Sequence, residues 1–158
     1  MKTRLKPLLS SAALALFIAC SGCLLRSPPH SQYRPIHQYA SACDAVKVAA
    51  DLGTNSADLN LPDDGGWTPL HWASSHCCTN VVGLLLGKGA NVNCKANGGE
   101  MPLHIAAQEG CSDAVIMLLN KGAKINAQDS EGRTPLKRAK DWEQPAIAEL
   151  LRQRGGIE

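Results

Sequence analysis

The sequence predicts an all-α architecture of stacked repeats, and three observations support this. First, the stretch Trp67-Thr68-Pro69-Leu70-His71 returns 33 residues later as Glu100-Met101-Pro102-Leu103-His104, and after a further 33 as Arg133-Thr134-Pro135-Leu136-Lys137. Second, the segments that follow keep the same register. Leu84-Leu85-Leu86-Gly87-Lys88-Gly89-Ala90-Asn91-Val92-Asn93 answers to Met117-Leu118-Leu119-Asn120-Lys121-Gly122-Ala123-Lys124-Ile125-Asn126, and Leu150-Leu151-Arg152-Gln153-Arg154-Gly155 holds the place in the last copy. Third, only 4% of the 158 residues are aromatic, so a stack built on Ala, Leu and Val fits better than a sandwich or barrel. A fixed period with landmarks in register marks a repeat architecture.

Each copy opens and closes two helices. Thr68 and Thr134 can cap a helix whose first residue is the following proline, which lacks only an N–H that would be orphaned there. Ala73, Ala106 and Ala107 are small where helices must approach closely. Gly89 and Gly122 stand after the second helix, where a left-handed residue ends it. At about eight residues, roughly 12 Å, such helices are marginal alone and need stacked neighbours to bury their apolar faces. These residues resemble the ankyrin repeat, a turn followed by two short antiparallel helices, over Asp63 to Glu158. The resemblance implies that His71 and His104 tie the backbones of neighbouring turns together rather than act on a metal or a proton.

The N-terminus follows another pattern. Met1 to Lys6 is basic and Leu8 to Ala19 apolar, too short to span a membrane but right for the core of a secretory signal. It runs into Cys20-Ser21-Gly22-Cys23, and small residues just before a cysteine resemble the bacterial lipobox. That resemblance implies cleavage before Cys23 and diacylglycerol on its thiol, with Cys20 as the second candidate. Leu24 replaces the histidine that a Cys-x-x-Cys haem site requires. Leu24 to Arg34, with Pro28-Pro29, reads as a tether. Residues 35–62 look like a degenerate first helix pair in which Arg34-Pro35-Ile36-His37 echoes the opening motif and Gly53 takes the place of Gly89. The expected organisation is a leader at 1–22, a lipidated tether at 23–34, a capping repeat at 35–62, repeats at 63–95 and 96–128, and a C-terminal capping repeat at 129–158. Lys137, Arg138 and Lys140 replace His104, Ile105 and Ala107, so that end is expected to face water.

With Cys20 removed and Cys23 lipidated, Cys43, Cys77, Cys78, Cys94 and Cys111 remain. An exported chain meets oxidising conditions, so disulfides are expected. Cys43, Cys77, Cys78 and Cys111 all fall at the turn between first and second helices, and Cys94 lies apart as a free thiol. Equivalent positions in neighbouring repeats stand about 8–10 Å apart, while a disulfide needs Cα atoms within roughly 4.4–6.8 Å. Pairing Cys78 with Cys111 therefore requires the turns to lean together, and Cys43 with Cys77 is the easier bridge. A soft-metal site at His76-Cys77-Cys78, with Cys43 or Cys111 as a further thiolate, competes with that reading, although no Cys-x-x-Cys spacing survives in the mature chain. No residue is placed to orient His76 as a base for a cysteine nucleophile, so no enzyme, metal or cofactor is expected.

The net charge of +2 includes Lys2, Arg4 and Lys6; without these leader residues, 13 basic face 14 acidic residues. Nothing there favours nucleic acid. The ankyrin resemblance implies a protein partner bound along the concave face of hairpin tips and first helices. Carried across, that face takes Asp64, Trp67, Ser75 and His76 from the first clear copy. The second adds Lys95, Asn97, Glu100, Gln108 and Glu109, and the third Gln128, Glu131, Arg133, Asp141 and Trp142. Trp67, Glu100 and Arg133 form one row, and Trp72 is expected in the core. The expectation is a monomeric, lipid-anchored envelope protein that binds and occludes a periplasmic partner, as immunity lipoproteins do, with Leu24 after Cys23 favouring the outer membrane. Two other readings stand beside it: a redox or metal-handling lipoprotein using the cysteine cluster, and a scaffold in an envelope complex.

Overall fold

Eight α-helices, all within the described residues 35–158 of the computed structural model, follow one another in four pairs. They are α1 (Pro35–Ser41) with α2 (Ala45–Thr54), α3 (Pro69–Ser75) with α4 (Thr79–Gly87), α5 (Pro102–Gln108) with α6 (Ser112–Asn120), and α7 (Pro135–Asp141) with α8 (Pro145–Gln153). A 3-10 turn, Ser56–Asn60, follows α2, and no strand occurs among the described residues. The leader at 1–22, the tether at 23–34 and the candidate lipid sites Cys20 and Cys23 lie outside the described residues.

Most of the expected start and stop signals act where the sequence puts them, but the Thr68 hydroxyl lies 3.0 Å from His71 Nδ1 instead of capping the backbone. Proline opens α3, α5 and α7, and the Thr134 hydroxyl accepts the Lys137 N–H at 3.2 Å. The helices α4, α6 and α8 end at Lys88, Lys121 and Arg154, cations that complement the negative end of the helix dipole. Gly89, Gly122 and Gly155 then turn the chain at φ 89°, 84° and 91°. Gly53 is a correction: it lies inside α2, which runs on to Thr54, and the 3-10 turn makes the exit.

The first helices pack in the order α1–α3–α5–α7 and the second in the order α2–α4–α6–α8. Ala40, Ala73, Ala106 and Ala139 are all at 0% exposure, one per first helix, and let neighbouring backbones close up. Leu70, Leu103 and Leu136 fill the space beside them, and Leu85, Leu118 and Leu151 line the second layer. Truncating one of these leucines to Ala costs roughly 2–5 kcal/mol, since no solvent side exists into which the cavity can relax.

Two side-chain ladders tie successive units. The Nδ1 atoms of His71 and His104 accept the N–H groups of Thr68 and Met101, both at 3.1 Å. The Nε2 atoms reach the next unit: His71 to the Glu100 carbonyl at 3.1 Å, and His104 to the carbonyls of Ala127 at 3.0 Å and Arg133 at 3.2 Å. His37, in the degenerate unit, does the same to the Leu61 carbonyl at 2.8 Å. Behind them Asn60, Asn93 and Asn126 accept the N–H groups of Asn91, Lys124 and Ile157 at 2.8, 2.9 and 2.9 Å. Each orphan donor beyond a helix end thus gains an acceptor from the preceding repeat.

Candidate protein-binding surface

The tips that precede the first helices are built on two aspartates. Asp63 Oδ1 accepts the N–H groups of Gly65 at 2.9 Å and Trp67 at 2.8 Å, and Asp129 Oδ1 those of Glu131 and Arg133, both at 2.9 Å. Neighbouring tips are stitched by the Asn97 N–H to the Gly65 carbonyl at 3.0 Å and the Ser130 N–H to the Gly98 carbonyl at 2.9 Å. A Cβ on Gly66 would stand 2.7 Å from the Asn97 backbone nitrogen, so this approach excludes any side chain.

The other oxygen of each aspartate holds a donor nine residues on. Trp72 Nε1 donates to Asp63 Oδ2 at 2.9 Å, and Arg138 Nε to Asp129 Oδ2 at 2.8 Å. The third repeat has Ala96 and Ile105 at these positions, both buried, so a loop acceptor and a helix donor are present together or absent together. Arg138 is 5% exposed, which corrects the expectation of a solvated terminal helix at that position. Its Nη1 donates to Gln108 Oε1 at 2.7 Å, and its Nη2 lies 3.0 Å from Glu100 Oε1 and 2.7 Å from Asp129 Oδ2. Burial opposes the charge on Asp129. The backbone N–H groups of Arg133 and Glu131 and the guanidinium groups of Arg138 and Arg133 outweigh that opposition and hold its carboxyl down at about 2.

An aromatic string runs down the second repeat. The rings of Trp67 and Trp72 have centroids 5.0 Å apart, and Trp72 and His76 stack at 6.1 Å. Both indoles are half-buried and His76 is exposed, so this string presents ring edges and faces at the surface. Trp72 packs against the core, as the sequence suggested, but is only partly buried and also borders the surface.

The remaining predicted residues divide in two. Asp64, His76, Lys95, Glu109, Gln128, Glu131, Asp141 and Trp142 are exposed, Trp142 at 55%. Several others are engaged within the chain. Asn97 Nδ2 donates to the Asp64 carbonyl at 2.9 Å, and the Ser75 hydroxyl to the Trp72 carbonyl at 3.0 Å. Glu100 and Gln108 hold Arg138, and Arg133 pairs with Asp129 at 3.2 Å and with Glu131 at 2.7 Å. Sequence reasoning missed Asp63, Asp129 and Arg138 as the organisers of this face. The signal was present in the alternation of Asp63/Trp72, Ala96/Ile105 and Asp129/Arg138.

Along the turns between paired helices runs a sulfur ladder. Cys43 bonds Cys78 with Cα atoms 5.0 Å apart, and Cys77 bonds Cys111 at 5.2 Å. This corrects the expectation of Cys43 with Cys77. Those two are equivalent, both left-handed turn residues at φ 58° and 53°, whereas Cys78 and Cys111 are equivalent as the caps of α4 and α6. Each bridge runs diagonally from a turn residue to the cap of the next repeat, and that one-residue offset brings the Cα atoms within bonding range. Cys94 is free and half-buried, 3.3 Å from the Thr68 hydroxyl, and burial pushes its thiol pKa up. Among the described residues no group of three His, Cys, Asp or Glu side chains is arranged to hold a metal ion.

Paired short helices stacked in register, joined by tips that meet edge to edge, define a helical solenoid whose first helices and tips form one continuous surface. Residues 9–96 match ankyrin repeats in three copies, and residues 84–139 match ankyrin repeats in many copies. The first match covers more than half of the chain, and the protein belongs to the ankyrin-repeat family. It begins inside the stretch expected as a leader. Repeats of this family form protein–protein interaction modules, generally binding scaffolds rather than catalysts.

Proposed function

We propose that this protein is exported, anchored by lipid at Cys23 and facing the periplasm from the outer membrane of a bacterial envelope, and that it binds and occludes another envelope protein through its tips and first helices. The observation that supports binding is the surface itself. Trp67, Trp72 and Trp142 reach it among carboxylates and amides, whereas stacking the repeats requires only the layers beneath. Indoles bury large area with a polar handle and dominate interface energies. About 800 Å² per partner makes a standard interface, an area that three repeats can offer. Export is supported by the two bridges, since such bonds persist in oxidising compartments.

The test is affinity capture with the full-length protein, followed by calorimetry on the partner recovered. Trp67→Ala and Trp142→Ala should each weaken binding at least tenfold while the circular dichroism spectrum stays that of the parent; Lys121→Ala, on the far side, should leave binding unchanged. The reading is wrong if the tryptophan variants bind like the parent and the far-side variant fails. Loss of the partner's activity in the complex separates occlusion from scaffolding. For the anchor, Cys23→Ser should accumulate as precursor and take up no labelled palmitate. Normal maturation and labelling of that variant would move the site to Cys20. A redox role for the cysteine ladder predicts disulfides that a mild dithiol reduces to free thiols, itself becoming oxidised, without loss of fold, which alkylation and mass mapping measure.

A further inference from the structure

Charge is unevenly distributed over this molecule. All 14 acidic residues but only 11 of the 16 basic ones fall within residues 35–158, which leaves that part at −3. Most of its cations are already engaged. Arg133, Lys137 and Arg138 pair with Asp129, Glu131, Asp141 and Glu100 on the first-helix side. Lys88, Lys121 and Arg154 cap the second helices, where the dipole holds them on the opposite layer. Among the described residues, Asp63 and Glu109 pair with no cation. Asp63 accepts only neutral N–H groups, from Gly65, Trp67 and Trp72. Glu109 receives only the Gln108 amide, at 3.0 Å.

These two carboxylates flank the aromatic string. Asp63 accepts the backbone N–H of Trp67 at one end and the indole N–H of Trp72 in the middle, and Glu109 occupies in the next repeat the place of His76, the string's other end. An indole face attracts a cation through its quadrupole, best of all the aromatic side chains, and an adjacent carboxylate adds direct attraction. Among the described residues, Lys95 is an exposed cation at a tip that stands outside the internal pairs, too little to cancel both acids.

We propose that the partner presents a basic segment to this face, with an Arg or Lys side chain seated against Trp67 and drawn in by Asp63 and Glu109; the proposal rests on the binding function argued above. Charge selects the segment here, and the indoles supply the contact area.

The experiment titrates the full-length protein with a synthetic peptide of alternating Arg and Ser, and with its alternating Glu and Ser counterpart, following tryptophan emission. The Arg peptide should quench emission, with affinity falling several-fold as salt rises from about 0.1 M to 1 M and the Debye length shrinks from about 10 to 3 Å. Trp67→Ala should weaken it about two- to fivefold, the span of an exposed cation–π contact, Glu109→Gln by up to about fivefold, the span of an exposed ion pair, and Glu109→Asp should restore most of the loss. The Glu peptide should not bind. The proposal is overturned if the Arg peptide fails to quench below about 1 mM, if the Glu peptide binds as well, or if Glu109→Gln and salt leave the titration unchanged. The captured partner separates this outcome from failure of the binding function itself. Sensitivity to Trp67→Ala without sensitivity to Glu109→Gln or salt keeps the surface and removes the cation. Insensitivity to both tryptophan variants removes the surface.

Discussion

His71 is fully buried, and burial pushes its pKa down to about 4 despite the opposing pull of the Glu100 carbonyl; burial lowers His104 as well. Both rings are neutral at pH 7, as their hydrogen bonds require: Nδ1 must accept a backbone N–H while Nε2 donates to the next repeat. The unfolded chain titrates these groups near 6.5, so below that pH it binds protons that the folded state refuses. Stability is therefore full above pH 6.5 and is lost as pH falls from there through about 4. His71 alone accounts for about 3 kcal/mol of that loss. Urea denaturation at pH 7.5, 5.5 and 4.5 measures it, and the fall should be shallower in His71→Gln. Asp129 adds a second limb, since a carboxyl held near 2 withdraws its stabilisation only as pH falls below the ordinary Asp range. The histidines were legible at the sequence level because period and position carry the ankyrin resemblance, and that resemblance implies their role. Gly53 misled because a glycine after an apolar run looks the same whether it follows the helix or is its penultimate residue.

Between elements, the link from the third repeat to the fourth depends on Arg138. Removing its guanidinium by Arg138→Ala leaves the Asp129 carboxylate, with 0% of its side chain exposed, without its closest cation, and Glu100 loses its ion pair. A broken buried pair of this kind costs roughly 3–5 kcal/mol. The third repeat shows a second solution at the same positions, Ala96 with Ile105, which needs no charge at all. The double variant Asp129→Ala/Arg138→Ile should therefore be markedly more stable than Arg138→Ile alone, which strands Asp129 in the same way. Chemical denaturation of the four members of the cycle tests this, and two single losses that simply add would refute it. A run of Lys137, Arg138 and Lys140 reads locally as a solvated helix face; only the comparison with positions nine residues upstream in each repeat shows that its middle member faces inward. The tips and first helices as a surface were legible from the repeat map. Which of their side chains are occupied inside the chain was not, because Glu100, Gln108 and Arg138 meet across two repeats.

At the scale of the whole stack, stability is a sum over repeats and their interfaces, and the cross-links are not evenly placed. Cys43–Cys78 ties the first unit to the second, and Cys77–Cys111 the second to the third. Their sequence separations of 35 and 34 residues correspond to about 4 kcal/mol each in the chain-entropy account. Among the described residues no bridge reaches the fourth unit. The oxidised protein should accordingly open from its C-terminal end, with α7 and α8 showing the weakest amide protection in hydrogen exchange. Reduction should move the weakest point to α1 and α2, whose degenerate unit then keeps its packing and the bonds of His37, Asn60 and Asn80 without a covalent tie. The ladder's geometry also says where a third rung belongs. Gly110 is the left-handed turn residue of the third unit, at φ 75°, and Gln144 caps α8, so the pair stands in the same diagonal relation as Cys77 and Cys111. A Cβ on Gly110 would meet the Gln144 side chain, which Gln144→Cys removes. The double variant Gly110→Cys/Gln144→Cys should close that bridge in air, raise the unfolding midpoint under oxidising conditions only, and protect the amides of α7 and α8. Bridge formation with unchanged exchange in those helices would show that the C-terminal unit was never the first to open.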